Sequence, residues 1–331
     1  MRLSNSLVLL SMSIVGKRVA FAFGAGRRTY TPSLMAFASF TTNGHNPRSR
    51  LSSTSESTEQ QQNNSEKVVK PKWIPNQDAS PWSRENLNPD SKLNKSRFRQ
   101  HVNPLASKFQ MPTEINDNWP QEGTFSDPSL PLFVDIGCGK GGFLLDLCSK
   151  ELSQKDADDG DCETRNYLGL EIRPSVAQYA KERIAKWNLN GSLDFIGCNA
   201  NVDLDRILGK YTRGGEGGEI TMVSIQYPDP HFKKSHQKRR VVTPELVEIL
   251  AKHLPPKTGT VFIQSDIKDV LDSMRETLRE SGSEYFEDAL ENVEDYLEEN
   301  PIGVQTEREK SVLEQNLPVY RTIFRRTENI I

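Results

Sequence analysis

The sequence predicts an α/β domain with one doubly wound, mostly parallel sheet and helices on both faces. Three observations predict it. Short apolar runs with strand character recur along the chain from residue 132 onward. Between them lie segments whose apolar residues repeat every three or four positions, as on one face of a helix. The first run ends in a glycine-rich turn that leads straight into a helical pattern, the arrangement by which open α/β sheets hold ligands at the carboxyl ends of their strands.

The elements follow in order. "LFVDI" (132–136) is the first strand, and "FLLDLC" begins the helix after its glycine turn. "YLGLE" (167–171) is the second strand, followed by a helix that starts at Pro174 and carries Val176, Ala180 and Ile184 on one face. Proline suits that first turn, where no backbone N–H is needed. "LDFI" (193–196) and "ITMVSIQ" (220–226) are the third and fourth strands. Thr243 and Pro244 open a helix bearing Leu246, Val247, Leu250 and Leu254. "GTVFIQS" (259–265) is the fifth strand, before a helix over 267–278 with Ile267, Val270, Leu271, Met274 and Leu278. "PVYRTIFRR" (318–326) is a late strand, and residues 154–166 read as an acidic surface insertion. There is no internal repeat.

The chain has 331 residues, and composition divides it. The first 55 residues contain no Asp or Glu but carry Arg2, Lys17, Arg18, Arg27, Arg28, Arg48 and Arg50, the make-up of an organelle-targeting segment. "LVLLSMSIVG" (7–16) is far shorter than the roughly 20 residues of a membrane span, so no membrane partner is expected. "LSSTSESTEQQQNNSE" (51–66) is a low-complexity linker. The expected organisation is a targeting segment and linker over 1–66 forming an unstructured extension, a basic arm over 67–110, and a single folded domain over 111–331. Cysteines at 138, 148, 162 and 198 show no CxxC spacing, which argues against a zinc site or a disulfide framework; no metal is expected. The net charge of −3 is unevenly spread, so any nucleic-acid surface must be local.

"VDIGCGKGG" (134–142) carries the first chemistry. A lone glycine motif is weak evidence, but its spacing is G-x-G-x-G and Asp135 sits two residues before the first glycine. A carboxylate there would repel a pyrophosphate and can face an ammonium. Glu171, at the end of the second strand, can accept hydrogen bonds from a ribose diol. Both fit S-adenosylmethionine, cradled by Gly137, Gly139 and Gly141. As plain structure, Asp135 could cap a loop and Glu171 could be an exposed strand end. After the third strand, Asn199 in "GCNAN" (197–201) could touch an adenine edge or simply turn the chain into the next helix.

"IQYPDPHFKKSHQKRR" (225–240) carries the second. Prolines fix φ and remove backbone donors, so Asp229 is held between Pro228 and Pro230 at the mouth of the fourth strand. One carboxylate there suits guanine, whose N1–H and N2 amine are donors on one edge while N7 is a free lone pair on the other. Lys233, Lys234, Lys238, Arg239 and Arg240 with His236 then form a basic strip for phosphates. A base must leave its stack to reach such a site.

Residues 225–240 resemble the signature of the tRNA (guanine-N7)-methyltransferase family, F-P-D-P-[WH]-x-K followed by a His and K-R-R. The likeness runs from "RFRQHVNPLASKFQ" (97–110) to "PVYRTIFRR", with "FVDIGCGKGGFL", "YLGLEIRPSVA", "SDIKDV" and "TERE" in the expected order. The resemblance implies a Rossmann-like class I methyltransferase that modifies a guanine in the tRNA variable loop, using S-adenosylmethionine; activity without a partner subunit is a separate expectation. It places cofactor contacts at Asp135, the glycine loop, Glu171, Ile172, Asn199 and Ala200, and the catalytic carboxylate at Asp229. It places substrate contacts at Lys233, Asp266, Thr306 and Glu309, and RNA contacts at Lys234, Ser235, His236, Lys238, Arg239 and Arg240. The chain departs from the pattern at three places. Asn199 stands where many members carry Asp, His231 and Phe232 replace a Trp-containing pair, and Ser235 replaces a basic residue. As plain structure, Asp266 is a helix N-cap and Thr306-x-x-Glu309 a capping box. Two other functions compete: methyl transfer to another nucleic-acid or protein nitrogen, and tRNA binding by a decayed site. The apolar run before Lys17–Arg18 and "VAFAFGAGRR" (19–28) resemble two-part plastid presequences, so import into a plastid is expected, with the mitochondrion as the alternative.

Overall fold

The structure, a computed structural model, describes residues 101–121, 124–157, 164–213, 217–231, 234–292 and 294–331. The targeting segment, the linker, the first part of the arm, Cys162, Phe232 and Lys233 lie outside the described residues.

The strands are β1 (Leu132–Ile136), β2 (Asn166–Glu171), β3 (Leu193–Gly197), β4 (Ile220–Gln226), β5 (Thr260–Ser265), β6 (Phe286–Asp288) and β7 (Tyr320–Arg326). They form one sheet in the order β3-β2-β1-β4-β5-β7-β6. β1 to β5 are parallel, and β7 runs antiparallel to both β5 and β6. The helices are α1 (Gly142–Ala157), α2 (Pro174–Ile184), α3 (Ala200–Thr212), α4 (Pro244–His253), α5 (Lys268–Ser281) and α6 (Glu307–Glu314). The chain first winds outward from β1 to β3 and then returns to place β4 against β1. That reversal opens a crevice at the carboxyl ends of β1 and β4, where such sheets bind ligands.

Both faces of the sheet are covered, which is why β1 and β2 are buried along their whole length. Val134, Ile136, Val223, Ile225, Val261 and Ile263 pack on one side with Leu204, Leu246, Leu250, Leu271 and Leu278 from α3, α4 and α5. Phe133, Tyr167, Leu193 and Phe195 pack on the other with Leu144, Leu145, Ala180 and Ile184 from α1 and α2. Local chemistry sets the helix starts as expected. Pro174 and Pro244 occupy first turns, and Thr243 Oγ1 accepts from the N–H of Leu246 at 3.2 Å. Residues after the arm are tied to the same domain. The N–H of Thr113 donates to Asp203, at 3.2 Å to each carboxylate oxygen, and Trp119 Nε1 donates to Asp194 Oδ2 at 3.1 Å.

Two elements go beyond the sequence reading. β6 lies inside a stretch, 285–300, that reads only as acidic. Its Asp288 carboxylate is held by Arg275 and Arg279 of α5 and accepts from Thr322 Oγ1 of β7 at 2.8 Å. Asp288 thus pairs inward at a sheet edge, while Glu287, Glu291, Glu294, Asp295, Glu298 and Glu299 are exposed. The segment expected as a surface insertion begins as helix, since α1 continues to Ala157. Among the described residues, no helix is long and apolar enough to cross a membrane.

Candidate active site

The carboxyl ends of β1, β2 and β4 and the turn after β3 enclose a cavity of about 200 Å³. Gly137, Glu171, Ile172, Asn199, Ala200 and Asp229 all line it, as does Arg239 from the basic strip. Residues spread over more than a hundred positions of sequence therefore share one wall.

The glycine turn supplies bare backbone. Gly137 and Gly139 have φ of +86° and +55°, and a Cβ on either would stand in open space. Only glycine adopts such angles without cost, and the open space is room for a ligand to reach the main chain. Gly141 differs. Its φ is +76°, but a Cβ there would lie 2.4 Å from the Phe195 ring, so packing under α1 already requires glycine at that position.

Asp135 lies beneath this turn, 4% exposed. It accepts from Ser224 Oγ at 2.6 Å and from Gln226 Nε2 at 3.3 Å. Burial pushes its carboxyl up to about 6, against the pull of those two donors and with a small push from the Glu171 charge. Glu171 is also buried. Its Oε2 accepts from the N–H of Gly139 at 3.1 Å, and its Oε1 from the N–H and Nε of Arg173 at 3.0 and 2.7 Å. Glu171 thus pins the glycine turn while its charge is matched by a guanidinium. The hydrogen bond from Arg173 to Glu171 is the main reason the Arg173 side chain holds its proton more tightly than usual.

Asn199 is the N-cap of α3, with its carbonyl oxygen accepting from the N–H of Asn201 at 3.2 Å. Its amide N–H₂ donates to the backbone oxygens of Phe109 at 3.0 Å and Pro104 at 3.4 Å. The residue that departs from the common Asp therefore ties down the arm, a contact a carboxylate could not make. Val102 and Pro104 of that arm roof the cavity.

The Pro-rich loop opens with Tyr227 at φ +51°, a left-handed conformation uncommon for a residue with a side chain. Its N–H still donates to the Gln264 carbonyl at 2.9 Å, so the β4–β5 ladder continues to the edge of the loop. Asp229 then projects to the cavity, with Oδ1 at 2.8 Å from His101 Nδ1. His231 lines the same wall. Burial lowers its imidazole below the ordinary value, with Arg239, His236 and Arg240 acting the same way and Asp229 opposing. Lys234–Arg239 form a short 3-10 helix. Ser235 and Lys238 on it are exposed, and the rings of His236 and His231 meet edge to face at 6.3 Å. Arg240 instead turns inward and donates to Ser273 Oγ.

The remaining candidates stand apart from this cavity. The Asp266 carboxylate pairs with Arg308 of α6 and caps nothing; Ser265 Oγ accepts from the N–H of Ile267 at 3.1 Å in its place. Thr306 is the N-cap of α6, accepting from the N–H of Glu309 at 3.0 Å. Glu309 does not reach back to complete a capping box. It is 1% exposed and bonds Arg321 at 3.1 Å, Asn300 at 2.8 Å and Gln264 at 3.2 Å.

The sequence reading missed His101, Arg173, Ser224, Gln226 and Gln264. The last three left a signal: polar letters at inward positions of strands that should be apolar on both faces. For His101 there was none, because its partner is 128 residues away. Among the described residues, no cluster of His, Cys, Asp and Glu could hold a metal ion.

Comparison with known proteins gives the same direction. A family model described as "Putative methyltransferase" matches residues 129–322. The chain is 42% identical over 230 residues to the tRNA (guanine-N(7)-)-methyltransferase of Thermosynechococcus vestitus, covering 70% of this chain and 95% of that protein. It is 42% identical over 228 residues to the same enzyme of Synechococcus elongatus, covering 69% and 95%. It is 38% identical over 231 residues to that of Prochlorococcus marinus, covering 70% and 89%. With Gly137, the Pro-fixed Asp229 and Arg239 in one wall and these relatives covered almost end to end, this chain belongs to the tRNA (guanine-N7)-methyltransferase family.

Proposed function

We propose that the chain methylates N7 of a guanine in tRNA, at position 46 of the variable loop, using S-adenosylmethionine. The observation that carries this reading is the single cavity lined by Gly137, Glu171 and Asn199 on one side and by Asp229 and Arg239 on the other. The cavity suits the cofactor on its own geometry, since the backbone at Gly137 and Gly139 faces open space beside two buried carboxylates. Asp135 would hold the ammonium, Glu171 the ribose hydroxyls, Ile172 the neighbouring wall, and Asn199 and Ala200 the adenine end. When bound, the cofactor supplies an electrophilic methyl group.

Asp229 accepts from N1–H and the N2 amine of guanine and so fixes the base with N7 toward the cavity. No proton leaves N7 before attack, so no general base is required. Positive charge develops on the purine, and the same carboxylate offsets it in a site partly shut off from water. Lys234, Ser235, His236, Lys238 and Arg239 would hold the backbone of the displaced nucleotide, with Lys233 beside them in sequence, and Arg240 would join them by releasing Ser273. Asp266, Thr306 and Glu309 provide the far side of the substrate site. Activity without a partner subunit is part of this proposal.

The test is to incubate the full chain with an unmodified tRNA transcript and labelled cofactor, then digest and identify the methylated nucleoside. The expected product is 7-methylguanosine in the variable loop. Asp229→Asn should lower kcat more than tenfold, a loss above about 1.4 kcal/mol, with affinity for S-adenosylhomocysteine unchanged. Label on another atom would refute the acceptor, and a fully active Asp229→Asn would refute its role.

A further inference from the structure

Strands of a parallel sheet covered on both faces should present apolar side chains to both. One row across this sheet does not. Asp135 of β1 is in register with Ser224 of β4, Gln226 of β4 with Gln264 of β5, and Gln264 with Arg321 of β7. In-register residues of neighbouring strands point to the same face. The five side chains therefore form a continuous polar row, every member 9% exposed or less, and Glu309 of α6 is buried against its far end.

The hydrogen bonds in the row have a fixed direction. Gln226 Nε2 donates to Asp135 Oδ1 and to Ser224 Oγ, each at 3.3 Å. Gln226 Oε1 accepts from Gln264 Nε2 at 2.6 Å. Gln264 Nε2 also donates to Glu309 Oε2 at 3.2 Å. Turning either amide over would set two N–H₂ groups, or a carbonyl and a carboxylate, against each other. The carboxylate at each end therefore dictates how both amides lie. Methionine or leucine would fill the same space without burying polar atoms, and the row is costly as it stands, since Gln264 Oε1 and Arg321 Nε are buried without a hydrogen-bond partner. Breaks of the local rule of this kind collect at functional sites.

We propose that Gln226 and Gln264 are positioning residues: they form a buried relay that holds the carboxylates of Asp135 and Glu309, and so joins the cofactor side of the site to the substrate side. This rests on the function proposed above. Gln226 lines the cofactor cavity, whereas Gln264 is absent from its lining, so an effect of Gln264 on the cofactor must pass through its neighbour.

The experiment is calorimetric titration of S-adenosylhomocysteine into the full-length chain, with thermal melts as a control on folding. The variants are Gln226→Met, Gln264→Met and the double variant. Gln264→Met is expected to weaken binding roughly three- to tenfold, the loss of one net hydrogen bond. Added to Gln226→Met, it should cost nothing further, because the relay is already cut. Should Gln264→Met fail to fold, Gln264→Asn keeps an amide in the row but shortens its reach, and the same weakening is expected. Affinity within twofold of wild type in a folded Gln264 variant, or losses that simply add, would overturn the relay. A wild-type chain that does not bind S-adenosylhomocysteine would overturn the reading beneath it, a different result in the same titration.

Discussion

Asp135→Asn separates the cost of a buried charge from its use. The Asp135 carboxyl is 4% exposed, and burial raises it from 3.8 to about 6. The folded chain thus holds this proton more tightly than the unfolded chain. The stability it contributes is fully present below pH 3.8 and is lost as pH rises through about 6. At about 1.4 kcal/mol for each tenfold change in the ionisation constant, the penalty above that window is on the order of 3 kcal/mol. Asparagine carries no charge to bury. Its carbonyl oxygen can keep both bonds, because Ser224 Oγ and Gln226 Nε2 both donate to Oδ1, and any cost of placing an amide nitrogen at the other oxygen's position is the same at every pH. Urea unfolding of wild type and variant between pH 4.5 and 7.5 reads the difference. The variant should gain on wild type as pH rises and stop gaining above about pH 7. On the binding side, wild-type affinity for S-adenosylhomocysteine should fall below pH 6 by up to roughly tenfold per unit, while the variant binds weakly and without this dependence. Unfolding curves that stay parallel across the whole range would refute the argument.

Glu171→Ala should weaken S-adenosylhomocysteine binding by on the order of 1.5–3 kcal/mol, the worth of hydrogen bonds to a charged acceptor; unchanged affinity by calorimetry would remove the ribose assignment. Asn199→Asp should keep the cap on α3, since a carboxylate also accepts from Asn201, but lose donation to Pro104 and Phe109. Hydrogen exchange over 101–113 should then quicken by about fivefold for each kcal/mol of local stability lost, and an unchanged exchange rate would show that Asn199 does not hold the arm. We propose that residues 1–60 direct import into a plastid, from their lack of acidic residues and scattered arginines. Fused to a fluorescent protein in a photosynthetic host they should label plastids; a mitochondrial signal would reject the organelle, and a diffuse one would reject targeting.

Much of this protein is determined by local chemistry and was therefore legible in its letters. Apolar runs of strand length, helices opened by Pro174 and Pro244, and a glycine turn after β1 follow from rules that act within a few residues. They also located Asp135, Glu171 and Asp229, because strand ends and proline-bounded loops are local features. Tertiary structure alone decided which of these meet. Strand order placed β4 against β1 and so brought Asp229 to the cavity of Glu171 and Gly137. It turned Glu309 into the buried partner of Arg321 and Gln264, where the sequence had shown only the spacing of a capping box. It set His101 against Asp229 across 128 residues and gave Asn199 the arm to hold. Sequence records what each residue can donate, accept or bury. Its partner is chosen by register and strand order, which depend on how the whole chain packs.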